Sequence, residues 1–293
     1  MSRTDAPRGM IAPALTPFDA GGAVDYDCFR RQVADLLDRG MHGISPGGST
    51  GEGAVLDDDE LATLVRIARE EAADRPVVAG VIRTSTKSAV RTALAARDAG
   101  ASALMITPTF YNVLVPDAAG NKDFYGTIAE QVDLPIIIYN VVPQNEITPE
   151  VFLDLLEIPQ IIGVKQSVGG VMAMYDMRIT AGDRAAVYGA TDEMMYSCLA
   201  LGADGAISAV LSLFPEQCRE IWDCAQNGRT DRGLQLQRQL FTIWKSVRGP
   251  QFPARMKAAA ALLGHDLGSC RSPSSPVPAD VRADLKAAVS TLT

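Results

Sequence analysis

"DAGASALMI", Asp98 to Ile106, closes a helix-like stretch on a glycine and runs straight into a strand-like one, and that joint decides the fold class. It recurs as "DRGMHGI" (Asp38 to Ile44) and "ALGADGAI" (Ala200 to Ile207). Glycine just past a helix is a common stop, because only glycine enters the left-handed region without steric penalty. The three joints therefore read as repeated turns from a helix into a strand.

Working outward, apolar and β-branched runs occur at Met10 to Phe18, His42 to Gly47, Pro76 to Ile82, Ala103 to Thr107, Pro135 to Asn140, Ile161 to Lys165, Ala186 to Gly189 and Gly205 to Val210. Helical patterns such as "DYDCFRRQVADLLDRG" and "DDDELATLVRIAREEA" separate them, several with acidic first turns. Strict alternation implies a parallel sheet, and eight strands in 293 residues favour an α/β, (β/α)8 TIM barrel over an open sheet. Residues 1–213 read as the barrel core. Residues 214–293 read as the last barrel helix plus a helical C-terminal extension of the same domain, with "RSPSSPVPAD" leading into a final helix up to about Thr293.

The composition is that of a globular chain: 47% hydrophobic and 21% charged, with no apolar run of membrane-spanning length. A net charge of -8 argues against a nucleic-acid or anionic-membrane partner, so a negative ligand has to be held by a local pocket. Pro13 and Pro17 interrupt the only early apolar run, which predicts no signal peptide and a cytoplasmic location. The five cysteines form no CxxC pair, and the two histidines, His42 and His265, have no metal-ligand spacing. Free thiols and no metal are expected.

In barrels of this kind the reactive groups sit at the C-terminal ends of the strands. "IIGVKQS" (Ile161 to Ser167) ends an apolar strand on Lys165, whereas the other five lysines lie in polar or helical contexts. A lysine in an apolar setting tends to give up its proton and become a nucleophile; the plain alternative is a side chain that reaches out to water along its stem. Tyr139 ends the preceding strand. "PGGSTGEG" (Pro46 to Gly53) lacks the Gly-Lys-Ser/Thr ending of a nucleotide loop, but its backbone N–H groups with Ser49 and Thr50 suit one carboxylate.

Seven motifs in order, "ALTPF", "GGSTGE", "ITPTFYN", "LPIIIYNVVP", "GVKQS", "GADGAIS" and "RSPSSP", give the whole chain a resemblance to the dihydrodipicolinate synthase / N-acetylneuraminate lyase family of Schiff-base aldolases. The resemblance implies that Lys165 forms an imine with pyruvate or a longer 2-oxo acid, which then undergoes aldol cleavage or condensation with an aldehyde. No other cofactor is implied. Tyr139 corresponds to the proton-shuttling tyrosine, Ser49 to the hydroxyl that links it to a second tyrosine, Tyr111, which in the family reaches into a neighbouring subunit. Thr50 with the Gly51 backbone corresponds to the carboxylate clamp, and Ile207 to an apolar wall that is equally consistent with strand packing. A homotetramer built from tight dimers is the implied assembly.

Dihydrodipicolinate synthases carry an arginine shortly after the strand-five tyrosine to pair with the second substrate's carboxylate; here Gln144 and Asn145 stand there. "GATDE" (Gly189 to Glu193) is similar to the region with which sialic acid lyases hold sugar hydroxyls, although Thr191 as an N-cap followed by Asp192 and Glu193 is also ordinary helix design. With Ser167, these residues are the expected contacts of the aldehyde end. The first expectation is thus an N-acetylneuraminate lyase-like or 2-keto-3-deoxy sugar acid aldolase. A 4-hydroxy-tetrahydrodipicolinate synthase, a 2-oxo acid dehydratase or hydratase-aldolase, and a non-catalytic barrel binding a small acid are the alternatives.

Overall fold

The computed structural model describes residues 6–111 and 113–291. Its strands are β1 (Gly9–Ala12), β2 (Gly43–Ile44), β3 (Val78–Val81), β4 (Ala103–Ile106), β5 (Ile136–Asn140), β6 (Ile161–Gln166), β7 (Ala186–Gly189) and β8 (Gly205–Ala206). Between them run α1 (Tyr26–Asp38), α2 (Asp58–Ala72), α3 (Thr86–Asp98), α4 (Ala118–Val132), α5 (Pro149–Leu155), α6 (Gly170–Ala181) and α7 (Met195–Ala200). All ladder pairs are parallel, β8 returns to β1, and a bridge between Ile44 and Val77 shuts the ring beside β3. The sequence expectation of a (β/α)8 barrel holds. β1 is shorter than the apolar run Met10 to Phe18 because Pro13 and Pro17 have no N–H to give a ladder.

Each of the three glycine joints is a Schellman stop. Gly40, Gly100 and Gly202 have φ of +96°, +97° and +95°. Their N–H groups donate to Leu37, Arg97 and Leu199, while the next residues, Met41, Ala101 and Ala203, donate back to Leu36, Ala96 and Cys198 at 3.0–3.1 Å. Four helices start with equal clarity: Asp25, Ser85 and Asp117 cap α1, α3 and α4, and Asp57 with Glu60 forms a capping box on α2.

Alternate strand residues face inward to fill the barrel. Met105 and Ile137 belong to the interior cluster, whereas their neighbours Leu104, Ile106, Ile136 and Ile138 pack outward against the helices. In β6 that alternation is broken. Ile136 pairs with Ile161 but Ile137 pairs with Gly163, so Ile162 is an extra residue in the strand. Ile162 faces inward and Val164 outward; without the irregularity, the strict period of two would turn Val164 inward and Lys165 outward. The bulge resets the phase and sets Lys165 beside Tyr139 in the register. Gly163 follows the shift, and the position suits glycine because a Cβ there would meet the Ala186 carbonyl oxygen at 2.7 Å.

The helical periodicity over residues 214–261 resolves into α8 (Pro215–Gln226), α9 (Thr230–Val247) and α10 (Phe252–Leu262), interrupted at Gly228 and at Gly249-Pro250, and α11 (Ala279–Val289) follows. The last two residues of the expected final helix lie outside the described residues. α9 reaches the reactive rim: Gln237 donates to the Asp192 carbonyl (3.1 Å) and accepts from the Tyr196 N–H (2.8 Å). All five cysteines are free thiols. Among the described residues no helix is long and apolar enough to cross a membrane.

Candidate active site

Lys165 and Tyr139 are both 5% exposed at the C-terminal ends of adjacent strands. The lysine Nζ lies 3.8 Å from the centre of the tyrosine ring, against its electron-rich face. The Tyr139 hydroxyl donates to Ser49 Oγ at 3.2 Å. Thr50, Ser167 and Ile207 join these three residues around a cavity of about 250 Å³. Larger hollows of about 420 and 560 Å³ sit under the C-terminal extension, but neither contains Lys165 or Tyr139. The residues expected to react line the smaller cavity.

Ser49 and Thr50 are delivered by a tight turn after β2. Gly47 has φ of +71°, and a Cβ on Gly53 would sit 1.7 Å from the Gly47 oxygen, so the turn can close only with glycine at these places. The Thr16 hydroxyl donates to the Gly51 carbonyl at 2.6 Å, and Glu52 N–H donates back to the Ser49 carbonyl at 3.2 Å. Among the described residues, the Thr50 and Gly51 N–H groups have no protein acceptor.

Asp192 also lines the cavity, 3% exposed, and accepts from the Val210 N–H at 2.8 Å. Burial pushes its carboxyl up to about 6; the Ser208 hydroxyl, the Val210 amide and the nearby Lys165 oppose the rise without cancelling it. A rise from 3.8 to about 6 makes ionisation cost the folded state about 3 kcal/mol. Because the folded chain then holds this proton more tightly than the unfolded one, the contribution is full below about pH 4 and is lost as pH rises through about 6. Asp192→Asn keeps an acceptor for Val210 without the charge. Its stability relative to the unsubstituted chain should rise by about 2 kcal/mol between pH 4 and pH 7, measured by urea unfolding; a pH-independent difference would sink this assignment.

Other expected site residues fall elsewhere. Gly189 is buried in β7 with Cys198 against it and does not line the cavity. Glu193 is partly exposed, on the turn Asp192–Met194 and off the cavity wall. Thr191 makes no capping hydrogen bond, so the helix-design reading of "TDE" is not realised either. Gln144 is exposed on the turn Pro143–Asn145, while Asn145 faces inward and bonds Asn121 and the Thr109 carbonyl. Tyr111 is 63% exposed and outside the cavity of this chain, next to the exposed Val113 and Leu114.

Several contributors were missed. Asn140 donates to Gln166 (2.9 Å) and both donates to and accepts from Ile147, which locks the ends of β5 and β6 that carry Tyr139 and Lys165. Trp244 and Phe252 bring an aromatic edge from α9 and α10, with ring centres 5.9 Å apart, onto the cavity. Lys257 is a second buried lysine, paired with Glu52. Only the amide residues carried a signal in the sequence, as polar side chains at strand ends.

Comparison with known proteins agrees with this fold. The model of the dihydrodipicolinate synthetase family matches residues 6–292. The chain is 32% identical over 282 residues to the 4-hydroxy-tetrahydrodipicolinate synthase of Methanothrix thermoacetophila, 95% of each chain. It superposes on the chloride-inhibited dihydrodipicolinate synthase of Acinetobacter baumannii complexed with pyruvate with a TM-score of 0.92, at 28% identity and covering 97% of this chain and 98% of that one. CdNal from Clostridium difficile, solved in complex with mannosamine, gives 0.90 at 26% identity, covering 98% and 100%.

Proposed function

Because this chain belongs to the dihydrodipicolinate synthetase family, whose members are class I carbon-carbon lyases, we propose that Lys165 forms an imine with pyruvate and that the enamine derived from it adds reversibly to a neutral aldehyde. The observation that carries the reading is the contact of buried Lys165 with Tyr139, whose hydroxyl is bonded to Ser49 beside the open Thr50 and Gly51 amides. Those amides and the Thr50 hydroxyl hold the pyruvate carboxylate. The free amine of Lys165 attacks the ketone carbon. The carbinolamine loses its hydroxyl as water and leaves a protonated imine, with Tyr139 supplying and recovering the proton. Loss of a proton from the methyl carbon gives the enamine; addition to the aldehyde forms the carbon-carbon bond, and water releases the product from Lys165. Run backwards, the same steps cleave a 4-hydroxy-2-oxo acid into pyruvate and an aldehyde.

The aldehyde is assigned as neutral because, among the described residues, Lys165 is the only basic side chain on the cavity wall and imine formation ties it to pyruvate, while Asp192 lies nearby. A second carboxylate would find no fork of donors there. Tyr111, Val113 and Leu114 on one side, and Met172, Tyr175 and Ile179 on α6, form two exposed apolar surfaces that suit a dimer of dimers in which Tyr111 serves the adjacent subunit.

The 4-hydroxy-tetrahydrodipicolinate synthase activity of the Methanothrix relative is the second reading. Borohydride reduction in the presence of pyruvate should leave an adduct on Lys165, found by peptide mass analysis. Aldehydes are then supplied in turn: neutral hydroxyaldehydes should be consumed with pyruvate at least about tenfold faster, in kcat/KM, than aspartate semialdehyde. Faster use of the semialdehyde would overturn the neutral assignment in favour of the synthase. Water loss without free pyruvate from 3-deoxy-2-oxo acids would mark a dehydratase, and absence of any adduct a non-catalytic barrel.

A further inference from the structure

Glu52 follows the Ser49-Thr50-Gly51 turn with φ of +56° and ψ of 31°, a left-handed conformation that a residue with a side chain adopts at a cost. Its carboxylate is buried, and Lys257 Nζ on α10 lies 2.9 Å from Oε1 with both side chains under 5% exposed. The same ammonium donates to the Ser269 carbonyl (2.9 Å) and sits 4.4 Å from the centre of the Phe18 ring. Oε2 accepts the Arg271 N–H at 3.1 Å. The Arg271 guanidinium then grips the segment beyond, donating to the Val55 carbonyl and to both Glu60 oxygens (2.6 and 2.7 Å). The C-terminal extension thus holds the segment from the turn after β2 to the start of α2 at three places, Glu52, Val55 and Glu60.

We propose that the Glu52–Lys257 pair is a positioning device for the reaction: the C-terminal extension, acting through Glu52, sets Ser49 and Thr50 against Tyr139 and the pyruvate carboxylate. The connection is continuous. Lys257 fixes the Glu52 side chain, the Glu52 N–H holds the Ser49 carbonyl, and Ser49 Oγ accepts from Tyr139, which covers Lys165. Neither member of the pair lines the cavity. Breaking it leaves one buried charge uncompensated and frees a strained backbone to relax, which moves the turn.

The inference rests on the imine reading, and its test separates the two. Chain with and without substitution is reduced with borohydride in the presence of pyruvate, and steady-state rates are divided by the fraction of Lys165 that traps. Lys257→Met and Glu52→Gln should each lower kcat/KM for pyruvate by about 100-fold per trapped site, with KM raised, the size expected when reacting groups are misplaced by about an ångström. Lys257→Arg should recover to within about tenfold of the original, because it restores the counter-charge. A role confined to stability would lower the unfolding temperature and leave these normalised constants unchanged, and that result overturns the inference. Should Lys257→Met not accumulate folded, the near-isosteric Glu52→Gln decides on the same criterion. An unsubstituted chain that traps no pyruvate overturns the imine reading and the inference with it.

Discussion

Replacing Lys165 by alanine is expected to abolish borohydride-trapped pyruvate and to lower turnover by at least about 10⁴-fold, the scale on which loss of a covalent nucleophile acts. No neighbour can take over. The other buried lysine, Lys257, is held by Glu52 and the Ser269 carbonyl and does not line the cavity. Arginine in place of Lys165 should fail as completely, since a guanidinium stays protonated and cannot attack a ketone. The fold should survive, because the lost side chain borders a cavity of about 250 Å³ and the space it leaves joins an existing opening. Circular dichroism matching that of the original chain, with no adduct by mass, is the expected pair of results. Turnover within tenfold of the original would remove Lys165 from the mechanism.

Tyr139→Phe is expected to lower turnover by about 10² to 10⁴-fold, the range of a lost general acid-base group. The substitution is selective. It keeps the ring that faces Lys165 Nζ and removes only the hydroxyl that donates to Ser49. Adduct formation should therefore persist but slow, while the aldol step loses its proton carrier, and the two effects separate in a single-turnover measurement. Ser49→Ala should cost less, since it removes the acceptor and leaves the phenol in place. A Tyr139→Phe variant with unchanged turnover would show that protons move by another route.

The barrel was legible because its signals are local. Gly40, Gly100 and Gly202 stop their helices in one conformation, and a glycine in a left-handed joint needs only its immediate neighbours to explain it. Lys165, Tyr139, Ser49 and Thr50 were legible for a related reason: the barrel places all strand ends on one rim, so position in the chain implies position in space. The aldehyde end was not legible in that way. Gln144 and Glu193 follow strand ends closely in sequence, yet a loop's direction after it leaves the ladder depends on what it packs against, and Gly189 is still paired in β7. Asn145 is turned inward by Asn121 and Thr109, and Asp192 by the Val210 N–H, leaving Gln144 and Glu193 off the cavity wall.

By itself, the sequence determined the strand and helix order, the stops between them and which lysine ends an apolar strand, all set by backbone conformation and side-chain period within a few residues. Tertiary structure alone decided that Lys165 faces into the barrel, through the extra residue at Ile162, because strand phase depends on the partner strand's register. It alone paired Glu52 with Lys257 and brought Trp244 and Phe252 to the cavity, because burial of a charge or a ring is settled by which distant segments close over it.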